Sequence, residues 1–212
     1  MNLAEKRKHS VRKGAEGLVH EGTKIAGLSV FCYFCCQKLK KAMENFELID
    51  PAAIDRNFIR AISEQWMLVT AGDRTSFNTM TASWGFAGEM WGKHCVIAAI
   101  RPGRHTFGFI ERGQRLTLSF LPEACRPALQ YCGTHSGRDG DKFAASGLTP
   151  LFTEAGTPAV GEAELILECR KLYAGDLREE GFIDRTCDEK WYPKRDYHRM
   201  YVLEIEKAYV RK

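Results

Sequence analysis

The sequence predicts a mainly β protein with a few short helices, closing toward a barrel and not wound as an open α/β sheet. Three observations predict it. Six short apolar runs have strand-like composition, turn residues separate them, and neither a GxGxxG fingerprint nor an alternating strand–helix rhythm occurs. At 212 residues, 44% apolar and 27% charged, the chain is long enough to bury a core, and one domain suffices to hold it.

The first 42 residues differ from the rest. They contain nine Lys/Arg against three Glu, a balance of +6, which leaves 22 of the 31 basic and 24 of the 27 acidic side chains for residues 43–212. The body is therefore slightly acidic and lacks the cationic stripe that phosphate tracking needs, so nucleic acid is not the expected partner. Residues 1–42 read as a basic extension, poorly ordered, with Met43 an alternative start and 43–212 the folded domain. The longest apolar run, Leu28–Cys36, is about half the ~20 residues of a membrane span, and Lys38, Lys40 and Lys41 follow it in place of a cleavage site. Neither a membrane anchor nor secretion is expected.

Eight cysteines lie scattered at 32, 35, 36, 95, 125, 132, 169 and 187, several inside apolar runs, which fits a reducing, cytoplasmic location. Cys32, Cys35 and Cys36 form a CxxCC, but no second CxxC completes a four-ligand set, and no metal site is expected.

The elements follow in order. Asp50 before Pro51 reads as a helix cap and first helical position, with Ile54, Phe58, Ile59, Ile62 and Trp66 at helical spacing. Strands are expected at 66–71, 78–84, 95–100, 116–121, 163–173 and 200–210, and short helices at 106–112, 126–131 and 142–146.

Four segments carry candidate chemistry. Asn78-Thr79-Met80-Thr81-Ala82-Ser83-Trp84-Gly85 is a strand of mostly small, hydroxylated residues. It would let a flat ligand lie against the main chain, or it is an ordinary edge strand. Arg101-Pro102-Gly103-Arg104-His105-Thr106 sets two guanidiniums three residues apart before a helix, which suits a phosphate or a solvated turn. The loop from Cys132 to Phe143 is rich in Gly, hydroxyls and cations, yet does not match GxxxxGK[ST]. Finally, His198 sits in the aromatic and basic run 191–201, able to orient a planar ligand or to donate a proton, or simply held in place by hydrogen bonds. GxSxG and HExxH are absent, so hydrolase chemistry lacks support.

Taken together, NTMTASWG (78–85), RPGRHTFGFIE (101–111), LSF (118–120), CGTHSGRDGDKF (132–143), LECRKLYAGD (167–176) and KWYPKRDYHRMYVLEIE (190–206) resemble the flavin reductase-like family, in particular its flavoredoxin-like branch. The resemblance runs from about Phe46 to the C-terminus. It implies an FMN-binding split β-barrel, a homodimer with flavin near the subunit interface, and one of two activities. The first is reduction of flavin by NADH or NADPH, with an oxygenase or other redox protein as the partner it would feed; the second is electron carriage on permanently bound FMN. By that resemblance Asn78, Thr79, Met80, Thr81 and Ser83 line the isoalloxazine, and Arg101, Arg104 and Thr106 hold the phosphate. Ser119 and Phe120 flank the flavin, Ser136, Gly137 and Lys142 close its phosphate end, and His198 lies near the nicotinamide as the catalytic residue. Two positions depart from the pattern. Tyr197 intervenes between Asp196 and His198 where relatives have Asp-His, and Leu203 stands where Gly is common.

Overall fold

The computed structural model describes residues 43–212. The CxxCC and the basic extension lie outside the described residues. Ten strands carry the fold: β1 (Phe46–Ile49), β2 (Met67–Gly72), β3 (Phe77–Ala82), β4 (Gly85–Met90), β5 (Lys93–Ile100), β6 (Arg115–Phe120), β7 (Pro150–Phe152), β8 (Pro158–Val160), β9 (Leu165–Asp176) and β10 (Arg199–Arg211). With 39% of the described residues in strands and only short helices among them, the fold is mainly β, as the sequence predicts. Eight strands form one antiparallel sheet in the order β3-β2-β6-β9-β10-β5-β4, with β1 added on β10, and β7 pairs β8 separately. The sheet curls without closing, the split form of a barrel.

β10 does most of the curling. It pairs β9 along nearly its whole length, with irregularities between Val202 and Leu203 and between Ile205 and Lys207. Such bulges bend a strand and increase its twist. Its first half therefore faces β5 (Arg199–Glu204), while its last four residues face β1 (Ala208–Arg211).

Strand alternation makes two cores. Met67, Val69, Leu116, Leu118, Phe120, Leu165 and Leu167 point to the barrel interior. Leu68 and Ile166 point the other way, against Leu129, Phe143, Leu151 and Val160. Strands buried on both faces read as continuous apolar runs, which is why their positions were legible.

Short helices lie between the strands: α1 (Phe58–Arg60), α2 (His105–Arg112), α3 (Arg126–Thr134), α4 (Lys142–Ser146) and α5 (Arg185–Trp191). The continuous helix expected after Asp50 is instead broken. Asp50 does cap, but it caps only a 3-10 turn (Pro51–Ala53), and Ile54 is already extended at ψ 105°. Asn57 then starts afresh, its Oδ1 accepting from the Arg60 N–H, and α1 runs into a π turn (Ala61–Gln65) that Trp66 ends at φ 68°. Two local caps competed successfully with the helical apolar spacing. The sequence reading also passed over β4, whose Gly-containing stretch lacks clear alternation. β4 joins β5 through Trp91-Gly92, both at positive φ (57° and 67°), the two-residue hairpin turn that matches strand twist.

Candidate functional site

A cleft forms where the edge strand β3 meets the Arg101–Thr106 turn, the loop after α3 and the segment between α5 and β10. β3 pairs only with β2, so its other edge offers unpaired main-chain groups to the cleft. Two adjoining cavities occupy it, of about 230 and 160 Å3, and Met80 and Arg104 line both.

The larger cavity has an aromatic wall. Trp84 meets Trp191 edge-on at 5.1 Å and lies 4.7 Å from the His198 ring at 38°. Thr81, Ser83 and Arg101 complete this end. His198 is buried, and its Nδ1 is 2.7 Å from the Tyr192 hydroxyl. Burial, and after it the charge of Arg101, push its pKa down to about 4, so the imidazole is neutral at pH 7. With Nδ1 occupied, Nε2 is the ring atom left for a ligand.

The smaller cavity is cationic. Arg104, Arg138, Lys142, His105 and His135 line it with Thr106, Thr134 and Ser136, and no carboxylate does. Lys142 is only 5% exposed, and its ammonium donates to the carbonyls of Thr79 (3.1 Å) and Cys132 (2.7 Å). Burial lowers its pKa, which a bound anion would oppose. The first turn of α2 opens here, and its cap residue, Arg104, makes no side-chain capping bond; the Phe107 N–H bonds the Arg104 carbonyl, which leaves the N–H groups of His105 and Thr106 for an anion. Asn78 donates from Nδ2 to Thr106 Oγ1 at 2.8 Å, fixing both beneath the cavity. Gly137 passes so close above that a Cβ there would lie 2.2 Å from Asn78 Oδ1.

The expected residues thus divide. Met80, Thr81, Ser83, Arg104, Thr106, Ser136, Lys142 and His198 line the two cavities, and Asn78 and Gly137 pack directly beside them. Thr79 is fully buried with its hydroxyl 2.9 Å from that of Thr70, so it serves the cleft through its carbonyl alone. Arg101 lines the larger cavity and not the cationic one, contrary to the phosphate role expected for it. Ser119 and Phe120 require correction: both are fully buried and line neither cavity. Phe120 packs in the barrel interior against Phe58, and Ser119, one residue before it, points into the opposite core. Trp84, Arg138, Trp191 and Tyr192 were not singled out, although all four fall inside the quoted motifs.

Among the described residues no cluster of His, Cys, Asp and Glu is arranged to hold a metal ion. Nor is any described helix long and apolar enough to cross a membrane.

A family model described as the flavin reductase like domain matches residues 59–212. The chain belongs to the flavin reductase-like family. Solved structures of the same fold include the flavoredoxin of Desulfovibrio vulgaris (Miyazaki F), 24% identical over 69% of each chain with a TM-score of 0.55. The flavoredoxin of Methanosarcina acetivorans is 21% identical over 70% of this chain and 69% of its own, at 0.55. An NADH:FAD oxidoreductase of Streptomyces globisporus, described in complex with NAD and FAD fragments, is 19% identical over 78% of this chain and 87% of its own, at 0.54. Comparison with curated proteins gives no match. The family match includes every cleft residue named above, from Asn78 to His198, and the fold likeness accounts for the open barrel that frames them.

Proposed function

We propose that the chain binds FMN in this cleft and catalyses its reduction by NADH or NADPH. The observation that carries the reading is the joined pair of cavities, one aromatic-walled beside the edge strand β3, the other cationic and free of lining carboxylates. Their chemistry fits a planar ring system ending in a phosphate. Arg104, Arg138, Lys142, Thr106 and Ser136 would hold the phosphate. Met80, Thr81, Ser83 and the free edge of β3 would hold the ring system, with Asn78, Thr79 and Gly137 supporting from beneath and above.

Bound FMN supplies an acceptor for two electrons, delivered as hydride from the reduced nicotinamide, which is oxidised in the exchange. The chain's own part is alignment and electrostatics. The edge N–H groups of β3 offer hydrogen bonds to negative charge that builds on the ring, and Trp84 with Trp191 keeps water from one side. His198, neutral and with Nε2 directed by its bond to Tyr192, holds or passes a proton at that atom.

The test is spectroscopic. Purified protein saturated with FMN should lose its visible flavin band on anaerobic addition of NADH or NADPH. Persistence of the yellow colour with both would overturn the reductase reading, and absence of FMN binding would overturn the site.

A second reading, an electron carrier with permanently bound FMN, is supported by the packing of Trp191 and His198 against Trp84, which occupies the aromatic end of the cleft with protein side chains. It predicts flavin retained on gel filtration through repeated reduction. We propose further that residues 43–212 are the folding unit and that two chains associate. Ile59 and Phe86 are 81% and 65% exposed and line an apolar cavity of about 570 Å3, a surface that a second copy would cover. A gel-filtration mass of a single chain would refute the dimer. A redox protein or oxygenase receiving electrons, and a cytoplasmic location, complete the proposal.

A further inference from the structure

We infer that Arg101 is a positioning residue, a latch that holds the Trp191–His198 segment across the aromatic end of the cleft, and not a phosphate ligand. The inference rests on the FMN reading of the cleft. Arg101 follows β5 directly, and its guanidinium faces the segment that leads into β10. Nη2 donates to the Trp191 carbonyl at 3.0 Å and Nη1 to the Asp196 carbonyl at 3.4 Å. Nη1 also forms an ion pair with the Asp196 carboxylate, and the Cζ sits 5.2 Å from the Tyr192 ring centroid. One planar group therefore closes a loop from both of its ends and packs against a ring within it. The fork of donors and the flat face of a guanidinium make this possible; a lysine ammonium has neither.

The loop needs such closure. After α5 ends at Trp191, Arg195 N–H turns back to the Tyr192 carbonyl at 2.9 Å, and Arg195 itself has φ 54°, a conformation uncommon for a residue with a side chain. What the loop delivers is Tyr192, whose hydroxyl holds His198 Nδ1, and Trp191, whose ring meets Trp84. Arg101 lines the larger cavity and not the cationic one, and its side-chain hydrogen bonds and ion pair go to the loop, so its geometric hold on the site runs through the loop while its charge also acts on His198. The charge balance agrees. Asp196 is the carboxylate held beside Arg101, whose guanidinium keeps that carboxyl below its ordinary range. Arg104, Arg138 and Lys142 already supply three cations to the phosphate end.

The test compares Arg101→Ala, Arg101→Lys and Asp196→Asn with Arg104→Ala. The first readout is the ratio of FMN to riboflavin affinity, which isolates the phosphate contribution. It should stay within about threefold of wild type in all three latch variants and fall at least tenfold in Arg104→Ala. The second is anaerobic flavin bleaching against NADH concentration, where the latch variants should need at least fivefold more NADH for half-saturation. The third requires no flavin: trypsin should cut after Lys194 or Arg195 at least fivefold faster in the latch variants. Arg101→Lys keeps the charge and loses the fork, so it should resemble Asp196→Asn and not wild type. A tenfold fall in the FMN to riboflavin ratio with unchanged cleavage in Arg101→Ala would overturn the latch. If wild-type protein binds no FMN, the reading of the cleft fails, and cleavage alone then decides the latch: faster cutting upholds it and equal cutting overturns it.

Discussion

The Lys142 ammonium donates to the carbonyl of Thr79 at 3.1 Å from a position only 5% exposed. Its other bond goes to the Cys132 carbonyl, and an ammonium has three donors, so one N–H faces the cationic cavity with no protein partner among the described residues. A buried cation whose bonds are all to neutral carbonyls is costly unless an anion joins it. Because burial lowers its pKa, Lys142 loses its proton at a lower pH than an exposed lysine would. FMN affinity should therefore weaken on raising the pH before ordinary lysines titrate, and the weakening should vanish for riboflavin. Lys142→Met should abolish this pH dependence, as followed by quenching of flavin fluorescence.

Arg104 lines both cavities and donates from Nη1 to the Gly133 carbonyl at 2.8 Å, which holds the guanidinium where the two cavities adjoin. Removing one charge-assisted hydrogen bond costs about 1.5 to 3 kcal/mol. Arg104→Ala should therefore weaken FMN binding roughly ten- to a hundredfold. Titration calorimetry with FMN and riboflavin in parallel checks this, since equal losses for both ligands would remove Arg104 from the phosphate site.

Gly137 owes its identity to Asn78. An added Cβ would lie 2.2 Å from Asn78 Oδ1 and 2.7 Å from its Cγ. Asn78 is 6% exposed and tied to Thr106, so its amide has little room to yield. Gly137→Ala should break the bond to Thr106 Oγ1, at a cost on the order of 1 to 3 kcal/mol in stability. FMN affinity should fall at least tenfold, and Gly137→Ala with wild-type urea midpoint and affinity would show that the loop relaxes freely.

How much of this was legible depends on how locally each feature is determined. α4 falls on the expected 142–146 because Asp141 caps it at one end and Gly147, at φ 72°, stops it at the other. The break before α1 was hidden because Asn57 acts as a cap only once the chain has turned there. The cleft is assembled from β3, the turn before α2, the loop after α3 and the segment before β10, so only several motifs read together could point to it. Phe120 and Ser119 were misplaced for a different reason. In a sheet covered on both faces, period-two alternation sends adjacent side chains into two cores, and composition does not distinguish either core from a ligand cavity. Arg101 and Arg104 look equivalent in sequence, and only the fold separates them, by placing Asp196 against the first and Gly133 against the second.

His198 makes the fold sensitive to acid. Its pKa falls from 6.5 to about 4 through burial and then the nearby charge of Arg101; Arg104 acts in the same direction and Asp196 against them. A histidine held neutral in the native state and free to protonate when unfolded destabilises the fold as pH falls through the window between those values. The contribution is fully present above pH 6.5 and fully lost below about 4. His105, also lowered by burial, adds in the same direction. Between pH 7 and 5 the loss from His198 should be about 1 to 2 kcal/mol. His198→Gln keeps an acceptor for the Tyr192 hydroxyl and removes the titration. Its urea-unfolding free energy should therefore fall less than that of wild type over the same interval, by about that amount. Parallel pH dependence in the two proteins would mean that His198 is already charged in the native state, or that it is free to become so without disturbing Tyr192.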